Sequence, residues 1–359
     1  MIQTFFEQHY YLIGFVSFLL GLLLMPIVIR IAKAKGFVVR PNKRMSHEGE
    51  VPNIGGLNIC ISFILTYLLF NPTEPNHFFF IGLFSIMVIG FIDDVLVLRP
   101  MAKLFGETLA GIALIGFSNL RITHLHGLFG INEIGIIPSY LLSLFILLAI
   151  INAINLIDGV DGLASGLGII YCLFFSIYFG LAGETTWSIL GVCMIGVLTV
   201  FFIYNVFGRK DKIFMGDSGS LLLGYLMSAF VFHFCEINAY SAVPEALHMS
   251  AAPAVAICVL TVPIFDTIRV SITRIKKHKS PFEPDKNHIH HLLLRTGLNH
   301  FQTTCVLLTA SLLFIALGVM GRNWNIWLLL IADFGLATAL TLVLWRVINK
   351  QTGATNANN

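Results

Sequence analysis

Leu141-Leu142-Ser143-Leu144-Phe145-Ile146-Leu147-Leu148-Ala149-Ile150-Ile151-Asn152-Ala153-Ile154-Asn155-Leu156-Ile157-Asp158-Gly159-Val160-Asp161-Gly162 sets the terms for the whole chain. It runs from Leu141 to Ile157 without a charged side chain, then delivers Asp158 and Asp161 beside Gly159 and Gly162. A helix needs about 20 apolar residues to cross a bilayer core, and this run has that character. Carboxylates near hydrocarbon are costly to hold, so acids at the end of such a run point to function. The arrangement recurs. Gly90-Phe91-Ile92-Asp93-Asp94, Phe214-Met215-Gly216-Asp217-Ser218-Gly219-Ser220 and Phe282-Glu283-Pro284-Asp285-Lys286-Asn287-His288-Ile289-His290-His291 each set acids or histidines beside apolar sequence.

Composition agrees. Of 359 residues, 57% are hydrophobic and 11% charged, with a mean hydropathy of +0.84. Soluble domains carry about 25% charged residues. The fold class is an all-α integral membrane protein, with no room for a soluble domain between its apolar runs. The first run has no basic region before it and no small-residue cleavage site after it, so it reads as a retained helix. The six cysteines lie in or at the edges of apolar runs with no CxxC spacing. They read as small packing residues, and neither a zinc site nor a disulfide framework is expected.

Apolar runs cover approximately 10–32, 54–70, 77–92, 102–118, 138–154, 163–182, 187–206, 218–236, 251–273, 303–320 and 324–347. That is about eleven transmembrane helices. With the N-terminus outside and the C-terminus inside, all of the 22 Lys and Arg residues except Arg121 and Arg322 fall on inner segments or their flanks. Basic residues favour the cytoplasmic side, and a wrong count would scramble the alternation. Residues 1–350 form a single polytopic membrane domain with catalytic cytoplasmic loops, and 351–359 read as a polar disordered tail. The outer segment 119–137 is rich in β-branched residues around a central glycine, which suggests a small external β-hairpin.

In this topology Asp93, Asp94, Asp158, Asp161, Asp217 and the histidine segment share the cytoplasmic face. Such carboxylates suit Mg²⁺, which is usually shared with substrate phosphates. Lys43, Arg44, Lys103, Lys210 and Lys212 could bind those phosphates. The combination is the equipment of phosphoryl transfer. Each piece also has a plainer reading. Asp93 and Asp94 could be a polar helix end, although two acids at a helix C-terminus oppose its dipole. Asn155, Asp158 and Asp161 would share one face of a helix, but Gly159 and Gly162 argue for a loop. Asp217 could merely cap the helix that follows it. Three histidines in four residues rarely serve packing, and without cysteines or an HExxH pattern zinc is a poor fit. Gly216-Asp217-Ser218-Gly219 is not a GxSxG elbow, and no Walker A sequence appears. Asp333 lies deep in the last run, where an ion-coupled transporter would place an acid, and this reading gives it no role.

Together these segments resemble the polyprenyl-phosphate N-acetylhexosamine-1-phosphate transferase superfamily. The likeness runs from Arg40-Pro41-Asn42-Lys43-Arg44-Met45-Ser46-His47 and Pro52-Asn53-Ile54-Gly55-Gly56 through the acidic segments to Pro263-Ile264-Phe265-Asp266-Thr267, Arg269 and the histidines. His288-Ile289-His290-His291 and eleven runs resemble the WecA/TagO branch, where the peptidoglycan (MraY) branch has three consecutive histidines and ten spans. The resemblance implies transfer of GlcNAc-1-phosphate, or a related N-acetylhexosamine-1-phosphate, from its UDP-sugar to undecaprenyl phosphate, with release of UMP. It implies Mg²⁺, with Mn²⁺ a substitute, and a bacterial inner membrane location with the active site facing the cytoplasm. Membrane lipids are the other partners, no nucleic acid is involved, and a homodimer stays open. By motif position, Asp93, Asp94 and Asp217 are catalytic, with Asp217 and Asp94 on the metal. Lys43, Arg44, His47, Lys103, Asn155, Asp158, Asp161, Asn205, Phe214, Arg269, His288, His290 and His291 bind substrate. A MraY-type phospho-MurNAc-pentapeptide transferase and an ion-coupled transporter are the alternatives.

Overall fold

A computed structural model of the chain describes residues 10–39, 50–70, 76–240, 242–278 and 287–357. The described elements are almost all helical: α1 (Tyr10–Lys35), α2 (Gly55–Phe70), α3 (His77–Leu96), α4 (Pro100–Gly111), α5 (Ile136–Ile157), α6 (Leu163–Ala182), α7 (Thr185–Phe207), α8 (Gly216–Ala239), α9 (Ala252–Val259), α10 (Thr261–Lys276), α11 (Ile289–Arg295), α12 (His300–Met320) and α13 (Ile326–Ala357). A two-stranded antiparallel sheet pairs β1 (Val38–Val39) with β2 (Val51–Pro52).

Among the described residues nine helical segments are long and apolar enough to cross a membrane, or ten when the bent pair α9–α10 counts as one span. The remaining expected run corresponds to α2, which at 16 residues is short for a crossing. Large apolar side chains cover the outside: Leu23, Leu69, Phe84, Phe145, Ile177 and Ile331 are all exposed. A surface this apolar would be an association liability in water and is ordinary in lipid.

Helix α8 is the axis of the bundle. It packs on α3 and α5 and also touches α2, α6 and α9. Small residues let the backbones close in. A Cβ on Gly90 of α3 would stand 2.5 Å from the Ser218 Cα, and one on Gly224 of α8 would stand 2.6 Å from the Ile151 Cα. The first contact joins the acidic end of α3 to the start of α8.

Three elements depart from the sequence reading. The run at 251–273 is not one straight helix: α9 and α10 meet at 82°. Pro263 explains the position of the break. It has no N–H to donate, and its ring clashes with the carbonyl four residues back, that of Val259, where α9 ends. The segment 119–137 turns back on itself, with Ile134 N–H donating to Thr123 O (2.9 Å) and Gly127 N–H to Ile131 O (3.1 Å). It holds a single antiparallel bridge, His124 to Glu133, in place of a full two-stranded hairpin. The last helix continues to Ala357 where the polar composition suggested disorder. Extending a formed helix needs no new nucleation.

Candidate functional site

The acidic segments meet at one end of the bundle. Asp93 and Asp94 lie in the last turn of α3, Lys103 in the first turns of α4, Asn155 in the last turn of α5 and Asp217 in the first turn of α8. The expected conflict between two acids and the dipole of α3 is resolved across helices. Asp94 Oδ1 accepts from the Asp217 N–H (2.6 Å), and Oδ2 accepts from the Ser218 N–H (3.1 Å) and hydroxyl (2.7 Å). Asn53 Nδ2 adds a fourth bond to Oδ1 at 3.2 Å. Asp94, not Asp217, therefore caps α8, through charge-assisted bonds at a positive helix end. The turn leading in depends on Gly216, whose φ of +71° is left-handed and whose place beside the Asp94 carboxylate leaves no room for a Cβ.

With Asp94 turned to the backbone, Asp217 is left facing the other acid and a lysine. Lys103 Nζ lies 2.9 Å from Asp217 Oδ2, 3.3 Å from Asp93 Oδ2 and 3.2 Å from Asn155 Oδ1. Asn155 Nδ2 donates to Asp217 Oδ1 at 2.5 Å and to Ser220 Oγ at 2.8 Å. Leu98 N–H donates to Asp93 Oδ1 at 2.6 Å. Asp93 therefore shares the Lys103 ammonium with Asp217, while the oxygens of Asp94, the other expected metal ligand, accept from the start of α8. Among the described residues no three His, Cys, Asp or Glu side chains converge on one point. Mg²⁺ commonly takes one or two carboxylates and completes its shell with water and substrate phosphates. Paired carboxylates already gathered around a cation, the Lys103 ammonium, fit such an ion.

A second group flanks the first. Helix α5 ends at Ile157, so Asp158 and Asp161 stand in a turn, as Gly159 and Gly162 suggested. Asp161 Oδ2 accepts from Lys212 Nζ (2.7 Å) and lies 2.9 Å from His300 Nδ1. Burial works against its charge, but the bonds to His300 and Lys212 hold Asp161 below the usual carboxylate range. Crowding by the protein, then the carboxylates of Asp217, Asp94 and Asp161, pushes Asp158 the opposite way. Asn205 ties the turn down: its Oδ1 accepts from the Gly162 N–H at 2.6 Å and its Nδ2 donates to Ile213 O at 2.8 Å. The Lys212 ammonium sits 5.6 Å from the Phe214 ring centre.

The third group is built on α10 and α11. Buried Asp266 accepts from Arg269 (2.6 Å) and from the Ile289 N–H (3.0 Å), and lies 2.8 Å from His288 Nδ1. His288, His290 and His291 are ring neighbours. His290 is buried against Gly159, where a Cβ would meet its Nε2 at 2.5 Å. Burial, then the neighbouring His291, pushes His290 down to about 3. The loop Gly159–Gly162 therefore joins this group to the other two.

Every expected site residue within the described chain is found at this end. Lys43, Arg44 and His47 lie outside the described residues. Sequence reading missed Asn53 and Ser218, which hold Asp94, and His300, which holds Asp161; no pattern marked His300.

Comparison with known proteins bears on the same segments. Residues 77–234 match the family described as "Glycosyl transferase family 4". A Bacillus subtilis (strain 168) protein named "Probable undecaprenyl-phosphate N-acetylglucosaminyl 1-phosphate transferase" is 32% identical over 95% of this chain and 91% of its own length. Proteins of Yersinia pestis and Escherichia coli (strain K12), each named "Undecaprenyl-phosphate alpha-N-acetylglucosaminyl 1-phosphate transferase", are 29% identical over 85% of this chain and 82% of theirs.

Proposed function

The chain belongs to glycosyl transferase family 4, and from that premise we propose that it transfers N-acetylglucosamine 1-phosphate, or a close N-acetylhexosamine counterpart, from a UDP-sugar to undecaprenyl phosphate. A phosphate oxygen of the lipid attacks the sugar-linked phosphorus, the bond to the UMP oxygen breaks, and one phosphoanhydride replaces another. The observation that carries this reading is the Asp93–Lys103–Asp217 junction at a helix N-terminus, set between the other two groups. The names of the relatives support the acceptor and the sugar.

The residues divide the work. A bound Mg²⁺, with Mn²⁺ as a substitute, supplies charge neutralisation at the diphosphate, and Asp217 with Asp93 would hold it. Asp93 also orients the lipid phosphate. That phosphate has a second pKa of about 6 and is mostly dianionic at pH 7, so no proton need be removed before attack. Phe214 offers a ring for uracil beside Lys212 and Asp161. Arg269 and the histidines would contact the diphosphate and sugar, with His290 neutral. The site end faces the cytoplasm of a bacterial inner membrane in this reading. Lys33, Lys103, Lys210, Lys212 and Arg269 gather at that end, while Arg121 and Arg322 lie at the other.

The test is UMP release by purified protein in detergent with a panel of UDP-sugars. Release from UDP-GlcNAc that requires undecaprenyl phosphate is expected. Transfer from UDP-MurNAc-pentapeptide, with none from any UDP-N-acetylhexosamine, would overturn the proposal.

A further inference from the structure

Each oxygen of Asp217 already accepts one hydrogen bond. Oδ1 accepts from Asn155 and Oδ2 from Lys103, and the same ammonium reaches Asp93. Lys103 thus stands between the two carboxylates, in the position that a divalent cation would claim. One turn further along α4, on the same face, lies Glu107. It is 1% exposed; its Oε2 accepts from Asn152 Nδ2 at 2.7 Å, and its Oε1 is buried with no hydrogen-bond partner among the described residues. A buried carboxylate with half its acceptors unused is costly unless it gains a partner in some state of the protein. Side chains at i and i+4 of a helix have Cβ atoms about 5–6 Å apart. A lysine stem spans that distance by changing rotamer.

We infer that Glu107 is a positioning residue for Lys103, the second station to which the ammonium turns when a divalent cation enters between Asp93 and Asp217. The inference rests on the metal-dependent transferase reading. In one state Lys103 neutralises the acids and keeps them together. In the other it is drawn to Glu107 and stays one turn below the diphosphate as a held positive charge. Without the Glu107 carboxylate the ammonium has no second counter-charge, so it competes with the cation for Asp217.

Mn²⁺ affinity of the full chain in detergent, read from the free-ion electron paramagnetic resonance signal without substrate, tests this. Four proteins are compared: wild type, Glu107→Gln, Lys103→Met and the double variant. Glu107 also attracts the cation directly, and that attraction is common to both lysine backgrounds. The relay predicts that Glu107→Gln weakens Mn²⁺ binding about tenfold more with Lys103 present than in the Lys103→Met background, a coupling of the size found between residues sharing one network. Equal losses in both backgrounds would overturn it. A second measurement needs no Glu107 variant. In wild-type protein with ¹³C-methylated lysines, the resonance that Lys103→Met removes should shift on Mg²⁺ addition. A stationary resonance at a saturating concentration would also overturn the relay. Absence of Mn²⁺ binding by wild type would overturn the relay, and UMP release that persists after exhaustive removal of Mg²⁺ and Mn²⁺ would overturn the metal-dependent reading beneath it.

Discussion

Asp217 receives Lys103 and Asn155 on its two oxygens while its own N–H is held by Asp94. Asp217→Asn keeps the shape and removes the charge, so UMP release should fall at least ~100-fold, the loss of several kcal/mol of charge stabilisation. Insertion and thermal stability should be largely kept. Near-normal turnover in the variant, or full wild-type activity after exhaustive removal of Mg²⁺ and Mn²⁺, would count against the assigned role. His290 allows a prediction about pH. Its pKa is about 3 in the fold against about 6.5 in an unfolded chain. Between those values the unfolded chain binds a proton that the folded one refuses, so stability falls as pH drops through that window, by at most ~1.4 kcal/mol per pH unit. His290 should therefore pull the melting midpoint down as pH falls from 6.5 towards 4, against the opposite pull of Asp158, and His290→Gln should make the slope less steeply downward than in wild type. An unchanged slope would show that the histidine is not held neutral. The motif acids were legible because acids next to apolar sequence are rare. Their division of labour was not: Asp94 became a cap and Asp93 the neighbour of Asp217 through a contact between α3 and α8 that spacing along the chain does not encode.

The helices themselves were legible from apolar run length, and their breaks less so. Pro263 marked the α9–α10 break in plain sight, but the continuous apolar run around it outweighed the signal. The structure also gives Asp333 of α13 a place. It is buried, its Oδ2 lies 2.8 Å from Thr261 Oγ1 at the first residue after the break, and its Oδ1 has no partner among the described residues. Helix α10 carries Asp266 and Arg269, so the angle at the break sets where the histidine segment sits. Buried acids are often replaced by apolar residues at no loss of stability. Asp333→Leu should accordingly melt at or above the wild-type midpoint yet turn over about tenfold more slowly, since a lost hydrogen bond of ~1–2 kcal/mol frees the bend. Asp333→Asn should keep activity. If Asn fails as badly as Leu, the charge itself matters, and the transporter-like reading of this acid regains ground.

At the scale of the molecule, the two ends of the bundle differ in chemistry. One gathers the carboxylates, Lys103, Lys212 and the histidines. The other holds the 119–137 turn, anchored where Glu236 near the end of α8 accepts from Thr123 N–H (2.7 Å) and hydroxyl (2.6 Å). This polarity was legible because it depends only on which runs are apolar and where Lys and Arg fall between them. The weak bridge in the turn and the extension of α13 were not, because both depend on contacts or propagation that composition does not report. The polarity makes a prediction that survives errors in any single helix. Lys210 and Asn132 are both exposed, at opposite ends. Cysteines placed there singly, in a background without the six native ones, should label oppositely in intact cells. Asn132→Cys should react with an impermeant maleimide added outside, and Lys210→Cys only after the membrane is opened. The proposed donor, a cytoplasmic UDP-sugar, would then reach a site at the Lys210 end without being transported. Outside labelling of Lys210→Cys would invert the protein, leave the site facing a compartment without nucleotide sugar, and remove the proposed reaction with it.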